Sequence, residues 1–116
     1  RLGVAGYAAQ EMVLIDAAVL AKLKELGLDE KTLVLFTSDN GATFGGSTGG
    51  LRGYKRLLYE GGIRAPFIAS WPGKIQPGTT SDLKTTFVDF LPTAADVIGA
   101  PAPSSTDGIS MFRVIQ

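Results

Sequence analysis

The chain has no cysteine and no histidine among its 116 residues. The first absence excludes disulfides and thiolate ligands; the second removes the commonest general base and the commonest zinc ligand. A hydrolytic site assembled from these residues alone would lack parts. No apolar run approaches the roughly 20 residues that a membrane-crossing helix needs, so no membrane span is expected, and no signal peptide is visible within these residues. Net charge is lacking too, because 11 basic and 11 acidic side chains cancel. No global field would draw the chain to nucleic acid or to an anionic membrane, and any anion binding must be local.

The length, 116 residues, is that of one domain with room for a core. The opening Arg1-Leu2-Gly3 and the apolar close at residues 111–116 read as the ends of a single segment cut from something larger. Ala8, Met12, Ile15, Val19, Leu23 and Leu26 recur at intervals of three and four, which predicts an amphipathic helix over 7–26 with Gly27 as its C-terminal cap. Its apolar face should pack against something. A buried strand is expected over 32–37, and a helix followed so soon by a strand is half of a βαβ crossover, so the fold class is α/β with a parallel sheet. Phe67-Ile68-Ala69-Ser70-Trp71 predicts a second strand in that sheet, ended by Pro72-Gly73. Thr85 to Val88 looks extended, and Asp89 can cap a helix that holds Pro92 in its first turn and runs to Ile98 before Gly99.

The chemistry concentrates where the first strand stops. Thr37-Ser38-Asp39-Asn40-Gly41 follows the apolar run Leu33-Val34-Leu35-Phe36, placing a carboxylate and a carboxamide at a strand's C-terminal edge, where open α/β sheets put their sites. Those two oxygens suit a hard cation, Ca²⁺ or Mg²⁺. The plainer alternative is an Asn-Gly turn with Asp39 as an ordinary loop residue. Gly41 to Gly53 holds six glycines without matching a nucleotide-binding pattern. At its end stands Arg52 and beyond it Lys55 and Arg56, and Lys55 can serve as a point charge on an ester oxygen or simply belong to a solvated basic loop. Glu60 and Arg64, four apart around Gly61-Gly62, read as an internal ion pair that shapes a turn; Asp16 and Asp107 read as structural.

The strings Thr32 to Gly41, Leu51-Arg52-Gly53-Tyr54-Lys55, Tyr59 to Phe67, Trp71-Pro72-Gly73 and Asp107-Gly108-Ile109-Ser110 occur in an order that resembles the later part of the catalytic domain of the arylsulfatase-type (formylglycine-dependent) sulfatases. The resemblance runs from Tyr7 to about Met111. It implies an alkaline-phosphatase-like sandwich with a mostly parallel sheet flanked by helices, and hydrolysis of sulfate monoesters of sulfated sugars or aryl alcohols. It implies that Asp39 and Asn40 are the later pair of ligands to a calcium ion, with magnesium as the other candidate, and that Lys55 contacts the substrate sulfate. The paired aspartates, the further lysine and histidines, and the formylglycine nucleophile would lie in the missing N-terminal part, since no Cys/Ser-x-Pro-x-Arg string occurs here. That missing part is then this segment's partner, and without it the segment is expected to be inactive. A periplasmic, secreted or lysosomal location is implied in the same way.

Two other readings compete. A phosphoryl- or phosphonate-ester hydrolase of the same superfamily would also use a cation with a basic clamp. A non-catalytic α/β segment would need neither. The upstream sequence distinguishes all three.

Overall fold

A computed structural model describes residues 16–43, 45–102 and 104–115. The chain divides into two compact units, Arg1–Trp71 and Pro72–Gln116.

In the first unit, residues 16–25 form helix α1, the described part of the helix expected over 7–26; residues 7–15 lie outside the described residues. Gly27 (φ 64°) ends it in the left-handed conformation. The Leu28 N–H donates to the Leu23 carbonyl at 2.9 Å and the Gly27 N–H to the Lys24 carbonyl at 3.1 Å, satisfying carbonyls that the helix end leaves open. Of the apolar face expected to pack, the described residues are largely uncovered: Leu23 is half-buried, but Val19 is 52% and Leu26 59% exposed. A single 3₁₀ turn, Asp29–Lys31, leads to strand β1, Val34–Thr37. The Trp71 indole N–H donates to the Glu30 carbonyl at 2.8 Å, tying the end of the second strand to the turn before the first.

Strand β2, Phe67–Ser70, pairs with β1 as expected, but the pair is antiparallel, with Val34 opposite Ser70 and Thr37 opposite Phe67. The connection explains the departure from a parallel crossover. A parallel partner requires the chain to travel back along the whole sheet before starting again. Here the link from Ser38 to Pro66 is pinched at its two ends, where the Gly41 N–H donates to the Gly62 carbonyl at 2.9 Å. The chain therefore re-enters beside the point at which it left, as a hairpin does. β1, expected to be buried, is half-buried at all four positions, and most of β2 is exposed. The link carries one helical turn, α2 (Glu60–Ile63), which residue patterning presented only as a turn.

The second unit is built around a hydrogen-bonded polar knot. A 3₁₀ turn, Phe87–Asp89, runs into helix α3, Phe90–Ile98, and the chain ends in a helical turn α4, Phe112–Ile115. Phe87 and Val88, which look extended in sequence, belong to that turn. Pro92 is buried in the first turn of α3 and Gly99 (φ 67°) closes it, both as expected. Asp89 departs from expectation, because its side chain does not cap α3. Its carboxylate instead accepts the Thr86 N–H at 2.8 Å, in a capping box with the Thr86 side chain, and the Ile109 N–H at 2.9 Å. Thr93 continues the network, donating from its hydroxyl to the Asp89 carbonyl at 2.6 Å and accepting the Met111 N–H at 3.0 Å. Asp89, Thr93, Ala95 and Met111 are all buried. The segment around Ile109 and Met111 is thus held through its backbone amides to Asp89 and to Thr93 of α3.

The Ile109 and Thr86 amides, with help from the Thr86 hydroxyl, hold the Asp89 carboxyl below its ordinary value of 3.8 against the opposing effect of burial. A carboxyl depressed in the folded state stabilises the fold fully above its unfolded value. That contribution is lost as pH falls below 3.8 toward and through the lowered native value. We expect Asp89→Ala to destabilise the protein by about 1.5–3 kcal/mol, the range for a hydrogen bond to a charged acceptor, and Asp89→Asn to flatten the acid limb of stability. Urea melts between neutral and strongly acidic pH measure both; an Asp89→Asn protein with the parent's acid sensitivity would contradict the assignment.

Candidate active site

The site grows out of the end of β1. The strand stops at Thr37, and the chain bends through Asp39, Asn40 and Gly41. Gly41 is buried and lies against the backbone of Gly61 and Gly62, where a Cβ would collide with carbonyl and chain atoms that cannot swing away. Gly61 is packed in the same manner against the carbonyls of Leu51, Arg52 and Gly53, and Gly62 against those of Tyr54 and Leu57. Three main-chain segments meet at these glycines, and only residues without side chains allow them to come so close. The Gly61 N–H donates to the Arg52 carbonyl at 2.7 Å, and the Lys55 N–H to the Ala42 carbonyl at 2.8 Å.

This packing delivers Lys55 to the strand end. Its ammonium Nζ lies 3.9 Å from Asp39 Oδ2. On the other side, the Ser38 hydroxyl approaches Asp39 Oδ1 at 3.5 Å. Both ionic side chains face solvent, 43% exposed at Lys55 and 78% at Asp39, so the pair adds little to stability. What it supplies is placement of opposite charges at one spot.

Asp39, Asn40 and Lys55 all line one open cleft of about 760 Å³, together with Ser47, Thr48 and Arg64. The three residues singled out in sequence are thus brought to the same cavity. Arg64 reaches it while keeping the ion pair expected with Glu60, at 3.7 Å between Nε and Oε2. Sequence patterning missed the contributions of Ser47, Thr48 and Arg64, and the Arg52–Tyr59 contact. The available signal was the glycine pair after Tyr59-Glu60, since adjacent glycines flanked by charged residues mark a close backbone approach. Lys74 belongs to a turn of the second unit, exposed to solvent.

A carboxylate and a carboxamide are the right kind of donor for a hard cation. They are too few for one, since calcium takes 6 to 8 oxygens, and among the described residues no group of three or more Asp, Glu, His or Cys gathers to hold a metal. The donors fit a metal in kind and would form part of a site.

Residues 17–100 match the family model of the sulfatases. The chain belongs to the sulfatase family. It is 44% identical to human arylsulfatase A over 110 residues, covering 87% of this chain and 22% of that relative. It is 42% identical to rat (Rattus norvegicus) steryl-sulfatase over 112 residues, covering 88% of this chain and 19% of that relative. A solved structure of BT4656 in complex with its substrate D-glucosamine-2-N,6-O-disulfate superposes with a TM-score of 0.74 at 34% identity, over 85% of this chain and 19% of that one. This sulfatase chain therefore spans about a fifth of the length of the relatives it matches. The arylsulfatase-type resemblance drawn from the motifs holds.

Because a Cβ at Gly61 would meet three successive carbonyls, Gly61→Ala should destabilise the sulfatase by about 1–3 kcal/mol or more, through backbone displacement. It should also separate Lys55 from Asp39. Denaturant midpoints, together with a crystal structure of the variant, check this; a Gly61→Ala protein as stable as its parent would show that the glycine packing is not a constraint.

Proposed function

We propose that this chain is the later part of the catalytic domain of an enzyme that hydrolyses sulfate monoesters, in which Asp39 and Asn40 are two ligands of a divalent cation and Lys55 holds the substrate sulfate. The observation that carries the reading is the convergence of Asp39, Asn40 and Lys55 on one cleft in a chain of the sulfatase family. The rest of the cation's ligands and the formylglycine nucleophile belong, on this reading, to the portion of the domain outside this chain. The same portion would add strands beside β1 and extend the small antiparallel pair into the mostly parallel, helix-flanked sheet of an alkaline-phosphatase-like fold. It would also cover apolar residues that stand exposed, among them Ile68 at 58% and Leu58 at 92%.

Each residue has a task that its chemistry suits. A bound hard cation, calcium or magnesium, would neutralise charge on ester and nucleophile oxygens. Asp39 supplies a full negative charge toward such a cation, and Asn40, half-buried beside it, a neutral oxygen. Lys55, with an ammonium free to rotate its three donors, can leave Asp39 for a non-bridging ester oxygen and oppose the charge that develops there. The substrate class is a sulfate ester, and a sulfated sugar is favoured by the sulfated glucosamine that the structural neighbour holds. A periplasmic, secreted or lysosomal setting goes with this reading.

In the full-length enzyme, Asp39→Ala should weaken calcium or magnesium binding, measured by calorimetric titration; unchanged affinity for both ions would remove Asp39 from the ligand set. Lys55→Ala should lower kcat/KM toward an aryl sulfate by roughly 100-fold or more, the scale of losing one electrostatic clamp, while Lys74→Ala changes it little. Equal behaviour of the two lysine variants, both folded, would count against the site. A full-length protein that binds a sulfate ester without turning it over would instead identify a non-catalytic relative.

A further inference from the structure

Lys55 sits on a loop whose base is closed by residues on either side of it. Arg52 precedes it and Tyr59 follows it. The Arg52 guanidinium lies over the Tyr59 ring, 3.9 Å from the centroid, and its Nη2 donates to the Tyr59 hydroxyl at 2.9 Å. Directly beside this contact, the Arg52 carbonyl accepts the Gly61 N–H at 2.7 Å. Gly53, at φ 85°, leaves the space that the Tyr59 side chain fills, since a Cβ there would come 2.9 Å from that of Tyr59. At the tip, the Lys55 N–H is bound to Ala42 and the Leu57 N–H to the Tyr54 carbonyl at 3.0 Å. Side-chain and main-chain clasps thus act at the same end of the loop.

Arg52 is a member of the basic cluster, yet it does not behave as an anion ligand. Its charge is directed at an aromatic face and its fork at a hydroxyl, and it is not among the residues that line the cleft, whereas Lys55 is. A flat guanidinium can stack and donate at once; an ammonium at this position could not do both.

We propose that Arg52, clasped to Tyr59, is a positioning residue that holds the Lys55 loop closed and so fixes where the Lys55 ammonium meets an anionic ester. The inference rests on Lys55 being the sulfate contact and adds how that contact is placed. It predicts that Arg52 acts through Lys55 and has little effect without it.

A double-mutant cycle in the full-length enzyme, assayed on 4-nitrophenyl sulfate, tests this. Arg52→Ala should lower kcat/KM about 10- to 100-fold, mainly through kcat, as expected of a reacting geometry displaced by an ångström or so. Arg52→Lys, which keeps the charge but not the stack, should not restore it. In a Lys55→Ala background the added Arg52→Ala change should cost less than about 2-fold. Tyr59→Leu provides a second entry to the same cycle, should Arg52→Ala fail to fold. Losses that multiply independently, or a fully active Arg52→Ala enzyme, overturn the inference while leaving Lys55 in place. If both clasp variants unfold the enzyme, the pair is an element of the fold and the inference is likewise overturned. A Lys55→Ala enzyme with normal kcat/KM removes the underlying reading, and the positioning role with it.

Discussion

The contact on which the first unit depends is main chain against main chain, at Gly41, Gly61 and Gly62. Among the described residues hydrophobic packing does comparatively little here, since β1 is only half-buried and β2 largely exposed. Three segments approach until peptide groups touch, and the Gly41–Gly62 and Gly61–Arg52 hydrogen bonds satisfy the polar groups brought inside by that approach. From this one constraint follow the antiparallel return of the chain, the exposed position of Asp39 at the strand end, and the reach of the Lys55 loop.

The electrostatics are equally local. A chain with no net charge gathers Lys55 and Arg64 on the cleft that also holds the Asp39 carboxylate. The exposed Lys55–Asp39 pair is nearly worthless to folding, so its geometry is more informative than its energy. On the proposed reading, Lys55 and Asp39 would exchange each other for an ester oxygen and a cation, and so weak a pair would oppose that exchange little. The second unit uses charge differently. There Asp89 is buried, accepts two backbone amides and the Thr86 hydroxyl, and organises structure.

The sequence made parts of this structure legible and concealed others for definable reasons. Helix ends were readable because Gly27 and Gly99 are needed at left-handed positions, and both strands because β-branched and aromatic residues cluster at 34–37 and 67–70. Asp39, Asn40 and Lys55 stood out because their side chains carry chemistry. Strand direction was not legible, since it was decided by a hydrogen bond between two glycines that no apolar period records. The degree of burial escaped for a related reason: periodicity marks which face is apolar, but it says nothing about whether these residues also supply the covering layer. Spacing alone allows Asp89 to cap the helix that follows; the Ile109 amide, twenty residues on, has no local signature.

The glycines of the cleft loop are not all alike. Gly41 and Gly53 are fitted tightly against neighbouring chain, while Gly45, Gly49 and Gly50 stand in open space among the described residues. The segment is therefore anchored at both ends by packing, while Gly49 and Gly50 form a turn held only by local hydrogen bonds, the Leu51 N–H to the Thr48 carbonyl at 3.2 Å and the Thr48 hydroxyl to the Leu51 carbonyl at 2.8 Å. Lengthening such a stretch costs only about 0.6 kcal/mol per doubling of the loop. New residues inserted near Gly49-Gly50 would open the Thr48–Leu51 turn and enter beside Ser47 and Thr48 on the cleft wall, away from the Gly41–Gly62 and Lys55–Ala42 hydrogen bonds. If Lys55 is the sulfate contact proposed above, variation in this turn would reshape the cleft wall around a substrate while the main-chain anchor of the lysine stayed as it is.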